Sequence, residues 1–167
     1  MRSYPRLVEV EAIRDTRKKI HLGCGDIILS TWRNVDFYTM EADCHRELDD
    51  LVSLGEFDIA YSCHALEHVG RERGKSFLKA WFECLKPDGV LYLCIPDIEG
   101  ICERFNDNPD WFINCLYGLQ INEGHYHKWG YTEKSIRQAL MEVGFQVTFL
   151  EKMSYGNTPS MWVEARK

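Results

Sequence analysis

KKIHLGCGD, residues 18 to 26, decides the fold. A short apolar segment runs into Gly-Cys-Gly, and a strand closed by a glycine turn is its simplest reading. Glycines in such a turn let the backbone approach a ligand where a Cβ would clash. In an open α/β sheet, ligands sit beyond the carboxyl ends of the strands, which is where Leu22, Gly23, Cys24 and Gly25 fall. The third glycine of a dinucleotide fingerprint would stand at position 28, which is Ile28. A pyrophosphate-bearing nicotinamide cofactor is therefore disfavoured. Taken alone, G-x-G is equally compatible with a tight turn that holds nothing. NVDF, residues 34 to 37, reads as the second strand, and it ends in Asp36. A carboxylate there can accept both hydroxyls of a ribose.

Working outward, the chain alternates. Residues 42 to 49 allow a short third strand, and FDIAYSC, 57 to 63, is a fourth. DIILSTW has room for a short helix or a turn with Asp26 at its cap. From Lys75 to Lys86 the apolar residues stand at helical spacing, and Pro87-Asp88-Gly89 stops them. VLYLCI, 90 to 95, is a continuous apolar run, as expected of a strand covered on both faces. Ile98 to Phe105 allows a helix, and residues 106 to 131 read as irregular. Thr132 caps a helix with the stripe Ile136, Ala139, Leu140 and Val143, ended by Gly144. Two strands, 145 to 151 and 161 to 167, close the chain. This order implies a doubly wound α/β sandwich. Its sheet has six or seven strands, mostly parallel, with helices on both faces and a C-terminal antiparallel hairpin.

The 167 residues suit one domain, with residues 1–17 as an N-terminal extension. The net charge of -6 counts against a nucleic-acid partner, which needs a clustered positive surface. Lys18-Lys19 and Arg71-Glu72-Arg73 are short enough to be solvated faces. Seven cysteines, an odd number with no C-x-x-C spacing, read as reduced thiols of a cytoplasmic protein. No apolar run reaches the length of a membrane span, and the N-terminus lacks the apolar core of a signal peptide.

HALEH, residues 64 to 68, matches the inverted zinc-peptidase pattern H-x-x-E-H. Such an enzyme needs a third ligand on a nearby helix. Glu103 and Glu142 lie on expected helices, but nothing in their flanks marks them, and a peptidase has no reason to carry the glycine turn and Asp36. No metal is expected on these grounds. Loop hydrogen bonding is an ordinary role for such histidines, His68 above all.

KIHLGCGD, NVDF, FDIAYSCHALEHV and LKPDGVLYLCIPD, in that order, resemble the class I S-adenosylmethionine-dependent methyltransferases. The likeness is to small bacterial-type members with the pattern LGCG…DxxxxxHxLEHV…LKPGG, and it runs from about residue 18 to residue 98. HYHKWGYTEKSIRQALMEVGF resembles the late segment of members associated with surface-polysaccharide biosynthesis. Asp88 departs from the family's second glycine, and the third strand is short. The resemblance implies a Rossmann-like fold and S-adenosylmethionine as cofactor. Leu22, Gly23, Cys24 and Gly25 would pass beneath it, and Asp36 with Phe37 would meet the ribose. Glu47 and Leu48 would lie beside the adenine. Ser62, Cys63 and His64 would form a loop closing over the ligand, with Glu67 and His68 orienting that loop or facing the substrate cleft.

Residues 106 to 131 follow the fifth strand and read as an acceptor-side lid. Aromatics with interleaved histidines suit a sugar or a ring. His127 and His125 are candidate bases, and Asp97 lies beside the expected cleft. The expected acceptor is a small molecule or a glycan precursor. The alternatives are a non-catalytic cofactor-binding or partner-binding module of the same fold and, further off, a nicotinamide oxidoreductase.

Overall fold

The computed structural model describes residues 16–167. The expected N-terminal extension thus lies almost wholly outside the described residues, as does the segment read for a signal peptide. Seven strands form one sheet: β1 (Lys19–Leu22), β2 (Arg33–Asp36), β3 (Cys44–His45), β4 (Phe57–Cys63), β5 (Leu85–Pro96), β6 (Gln146–Tyr155) and β7 (Thr158–Arg166). Their spatial order is β3-β2-β1-β4-β5-β7-β6. The pairs from β3 through β5 are parallel, whereas β7 runs antiparallel to both β5 and β6. The expected hairpin therefore stands at one edge. Its turn is Gly156-Asn157, so both strands are longer than their apolar runs suggested. The chain leaves β1 toward β2 on one side, while β4 flanks β1 on the other. The carboxyl ends of β1 and β4 thus border the point where strand order reverses, the usual place for a ligand crevice.

Among the described residues four α-helices accompany the sheet: α1 (Arg71–Glu83), α2 (Ile98–Glu103), α3 (Pro109–Tyr117) and α4 (Glu133–Val143). Helix α1 starts four residues before the expected Lys75, because its first turn is polar and adds nothing to the apolar stripe. Phe77, Leu78 and Trp81 of α1 and Ile136 and Leu140 of α4 enter one large core with Leu91, Leu93 and Ile95 of β5. Burying each such side chain contributes roughly 1.5–3 kcal/mol. Trp81 also donates its indole N–H to the Leu48 carbonyl at 3.0 Å. Helix α4 is fixed at both ends: Thr132 and Ser135 form a capping box, and Gly144 takes a left-handed φ of 112°.

The opposite face carries a smaller cluster of Ile59, Tyr61, Cys63, Cys94 and Trp162, filled from the β1–β2 connection by Leu29 and Trp32. That connection is a turn, not a helix. Residues 106 to 131 are less irregular than expected. Helix α3 forms there because Asn108 caps it, accepting from the Trp111 N–H at 3.0 Å, and Pro109 starts it. No helix among the described residues is long and apolar enough to cross a membrane.

Candidate functional site

The bend after β1 is built from backbone. The N–H groups of Gly23 and Cys24 both donate to the Val35 carbonyl, at 2.9 and 3.2 Å, which ties the bend to β2. Gly25 then donates its N–H to Asp36 Oδ2 at 3.0 Å. The carboxylate therefore faces the bend. Its other oxygen accepts from the Tyr38 and Thr39 N–H groups, at 2.7 and 3.2 Å. A carboxylate offers about four lone-pair sites. Three are taken, so Asp36 has one acceptor position left, on Oδ2, for a ligand hydroxyl.

The two glycines do different work. Gly23 has φ 71°, and a Cβ there would collide with the Cβ of Ala65 and stand 3.3 Å from Leu48 Cδ1. Gly25 has φ 50° and nothing within 4 Å of its Cβ position. Gly23 is thus a packing requirement, and Gly25 is the open side of the bend. Leu22 lies in the core, and burial pushes the Cys24 thiol up to about 12. Phe37 and Tyr38 stand more than half exposed just past Asp36. Glu47 pairs with Arg73 at 3.6 Å, and Leu48 is buried.

The segment after β4 departs from expectation. Ser62 and Cys63 belong to the strand itself, opposite Leu93 and Cys94 of β5, and both are buried. The apolar run simply continues through them, so they form no loop. The turn begins at His64, which holds a left-handed φ of 52° that non-glycine residues seldom adopt. His64 points toward the hairpin: its Nε2 lies 3.2 Å from Ser160 Oγ and its ring 4.6 Å from that of Tyr155. Its Nδ1 lies 3.1 Å from Glu67 Oε1. Burial disfavours both charges, yet each partner's charge wins, holding His64 above its ordinary value and Glu67 below. Ala65, unmarked in the sequence reading, packs under Gly23, and Leu66 enters the core. HALEH therefore spans from the glycine bend to Glu67.

Glu67 opens the second half of the site. It helps line a cavity of about 250 Å³ together with Ile98, Tyr117, His127, Trp129 and Gly130. The N–H groups of Lys128 and Trp129 both donate to the Glu67 carbonyl, at 2.8 and 3.2 Å, which straps the lid segment onto the turn after β4. His127 is half-buried, with Nδ1 2.8 Å from the Cys115 carbonyl. Burial is the main cause holding it below its ordinary pKa. The other two catalytic candidates lie outside this lining. His125 bonds Asn122 Oδ1 at 2.8 Å. Asp97 is 2% exposed, caps α2 by accepting from the Glu99 N–H at 3.1 Å, and pairs with Lys152 at 3.1 Å.

The profile of the methyltransferase domain family matches residues 5–150, and the chain belongs to that family. Its fold is shared with solved methyltransferases at low sequence identity. One is a 1,6-didemethyltoxoflavin-N1-methyltransferase from Burkholderia thailandensis, solved with bound 1,6-didemethyltoxoflavin and S-adenosylhomocysteine. It is 14% identical with a TM-score of 0.69 over 96% of this chain and 75% of that one. A second is a SAM-dependent methyltransferase from Methanosarcina mazei, 15% identical with a TM-score of 0.65 over 100% of this chain and 99% of that one. The magnesium protoporphyrin IX methyltransferase of Synechocystis, solved with S-adenosylhomocysteine, gives 13% and 0.64 over 96% and 78%. No curated protein sequence matches the chain significantly.

Proposed function

We propose that this protein transfers the methyl group of S-adenosylmethionine to a hydroxyl-bearing small molecule, such as a sugar of a glycan precursor. The observation that carries the reading is the Asp36 carboxylate turned onto the Gly25 amide at 3.0 Å. When bound, the cofactor supplies an electrophilic methyl on a sulfonium. Asp36 keeps one acceptor position for a ribose hydroxyl. Gly25 leaves backbone bare beside it, and the exposed Phe37 and Tyr38 offer apolar surface to a base. The fit favours an adenosyl ligand without a pyrophosphate, since Ile28 stands where a dinucleotide site carries its third glycine.

Methyl transfer neutralises a charge, so placement and exclusion of water do most of the work, worth roughly 7–11 kcal/mol when the reactants are held in line. The cavity beside Glu67 and His127 is the acceptor's place in this reading, and its presence supports catalysis over a binding-only module. His127 is the one of the three catalytic candidates that reaches it. The aromatic lining of Tyr117 and Trp129 suits a sugar ring.

The test has two stages. S-adenosylhomocysteine should raise the melting temperature in a concentration-dependent way, while NAD should not. Sugar and nucleotide-sugar acceptors should then release S-adenosylhomocysteine from S-adenosylmethionine. Stabilisation by NAD alone would refute the cofactor reading, and stabilisation by S-adenosylhomocysteine without turnover on any hydroxylated acceptor would refute the substrate class.

A further inference from the structure

The geometry points to a divalent metal site that the sequence reading did not assign. We propose that Glu67, His68 and His127 together bind one transition-metal dication, with open coordination positions facing the acceptor cavity. One ring nitrogen of each histidine and one Glu67 oxygen all lie within 4.8 Å of one another. Glu67 and His68 come from the turn after β4. His127 arrives on the lid strap about sixty residues later.

The hydrogen bonds fix which nitrogens are available. His68 Nδ1 lies 3.1 Å from the Tyr126 carbonyl, and His127 Nδ1 lies 2.8 Å from the Cys115 carbonyl. A carbonyl only accepts, so both Nδ1 atoms carry hydrogen. Both Nε2 atoms then keep a bare lone pair. This is how metal-binding imidazoles are generally held: one nitrogen donates to a carbonyl, and the other is turned to the ion. The rings meet edge to face, with centroids 4.8 Å apart and planes at 75°.

Glu67 completes the set. It is 1% exposed; Oε1 faces His64 Nδ1 at 3.1 Å, and no hydrogen-bond donor meets Oε2. The pair with His64 leaves the rest of the carboxylate facing His68 and His127. A buried carboxylate with lone pairs to spare, beside two imidazoles locked as acceptors, is a cation site by its chemistry. Three ligands of type N, N and O suit zinc, manganese, iron or cobalt rather than calcium. Ligands about 2.1 Å from one tetrahedral ion stand about 3.4 Å apart, so binding needs a closure of up to about 1.4 Å between ligand atoms. A neighbouring trio, Cys63, His64 and Cys94, is also close enough. There the two His64 nitrogens already face Glu67 and Ser160.

Glu67 and His127 both line the cavity, so an ion held by them would stand at its wall. This part rests on the methyltransferase reading. An ion held by Glu67, His68 and His127 would supply Lewis acidity to an acceptor hydroxyl, which would lose its proton to water as its oxygen forms the C–O bond and the C–S bond breaks. The electron pair of that bond stays on sulfur, which becomes a neutral thioether.

The full chain, stripped with EDTA and titrated with Co²⁺, should show visible d–d absorption saturating at one ion per chain and lost on adding Zn²⁺. His68→Ala and His127→Ala should each weaken Co²⁺ binding at least about tenfold. Both should keep wild-type far-UV circular dichroism and stabilisation by S-adenosylhomocysteine. His125→Ala, outside the cluster, should bind Co²⁺ as the wild type does. Absence of the absorption at millimolar Co²⁺, or equal affinity in the wild type and His127→Ala, would overturn the site. Co²⁺ binding without any response to S-adenosylhomocysteine would uphold the site and overturn its role in methyl transfer.

Discussion

The two halves of the site are built on opposite plans. In the bend after β1, main-chain N–H groups meet main-chain or carboxylate oxygens, and Asp36 is nearly saturated by Gly25, Tyr38 and Thr39. In the turn after β4, the buried Glu67 carboxylate is held by its ion pair with His64, its Oε2 meets no donor, and His68 and His127 stand beside it. The first plan suits a ligand that meets a rigid, preformed surface. The second leaves binding capacity unspent at the point where an acceptor, and on our reading a metal ion, would enter. HALEH joins them: Ala65 seats the glycine bend, and Glu67, two residues on, opens the cavity.

The contrast can be broken most severely at Glu67. Glu67→Ala leaves the His64 charge buried without its partner, and we expect a loss of about 3–5 kcal/mol by urea denaturation. His64→Gln combined with Glu67→Gln should recover much of it, since no lone charge remains. A Glu67→Ala protein as stable as the wild type would show that the pair is not ionised.

Gly23 tests the other half. Gly23→Ala adds a Cβ against Ala65 at a positive φ, and strain plus overpacking should cost about 2–4 kcal/mol. Ala65→Gly in the same chain should return the overpacking part, a coupling readable in a double-mutant cycle. Additive effects would separate the two positions and remove the link between bend and turn.

The two halves also treat buried histidine differently. His64 is held charged by Glu67, whereas His21, fully buried in β1 and stacked on Tyr61, is pushed down to about 4, with burial the main cause. Below the ordinary value of 6.5 the unfolded chain takes up a proton that folded His21 refuses until about 4. Stability from this group is therefore full above pH 6.5 and lost as pH falls toward 4, by about 3 kcal/mol. His21→Phe should flatten the stability profile across that window relative to the wild type. Parallel profiles would contradict the neutral state.

Gly25→Ala is expected to be the mildest for the fold. Its Cβ meets no atom, so only the positive φ costs, about 1 kcal/mol. Affinity for S-adenosylhomocysteine should nevertheless fall at least about tenfold, measured by calorimetry, because the Cβ fills the open side of the bend. Gly23 and Gly25 losing stability equally would erase the distinction drawn between them.

Much of the fold was legible because the strands are local apolar runs and the stops are glycine or proline. The bend and Asp36 were legible for the same reason: their partners lie within a few residues or on the adjoining strand. Three features escaped. The cap of α3 was hidden because Asn108-Pro109 sits in a segment whose aromatics suggested no stripe. The resemblance implied a loop of Ser62, Cys63 and His64, whereas the strand expected over 57 to 63 pairs with β5 through Cys63, and only His64 lies beyond it. The meeting of Glu67 and His68 with His127 depends on how the lid crosses the sheet edge, and no local spacing encodes it. The sequence pattern suggested His64 and His68 as joint ligands. The left-handed turn at His64 instead sends that ring to Ser160 and leaves His68 to face His127.

The bend's claim on an adenosyl ligand is tested most directly by titrating S-adenosylhomocysteine into the wild type and into Asp36→Asn, with circular dichroism confirming the fold of each. The account predicts saturable one-to-one binding by the wild type and an affinity at least about tenfold weaker, about 1.4 kcal/mol, in the variant. Equal affinities in the two proteins, or no binding by the wild type, would contradict it.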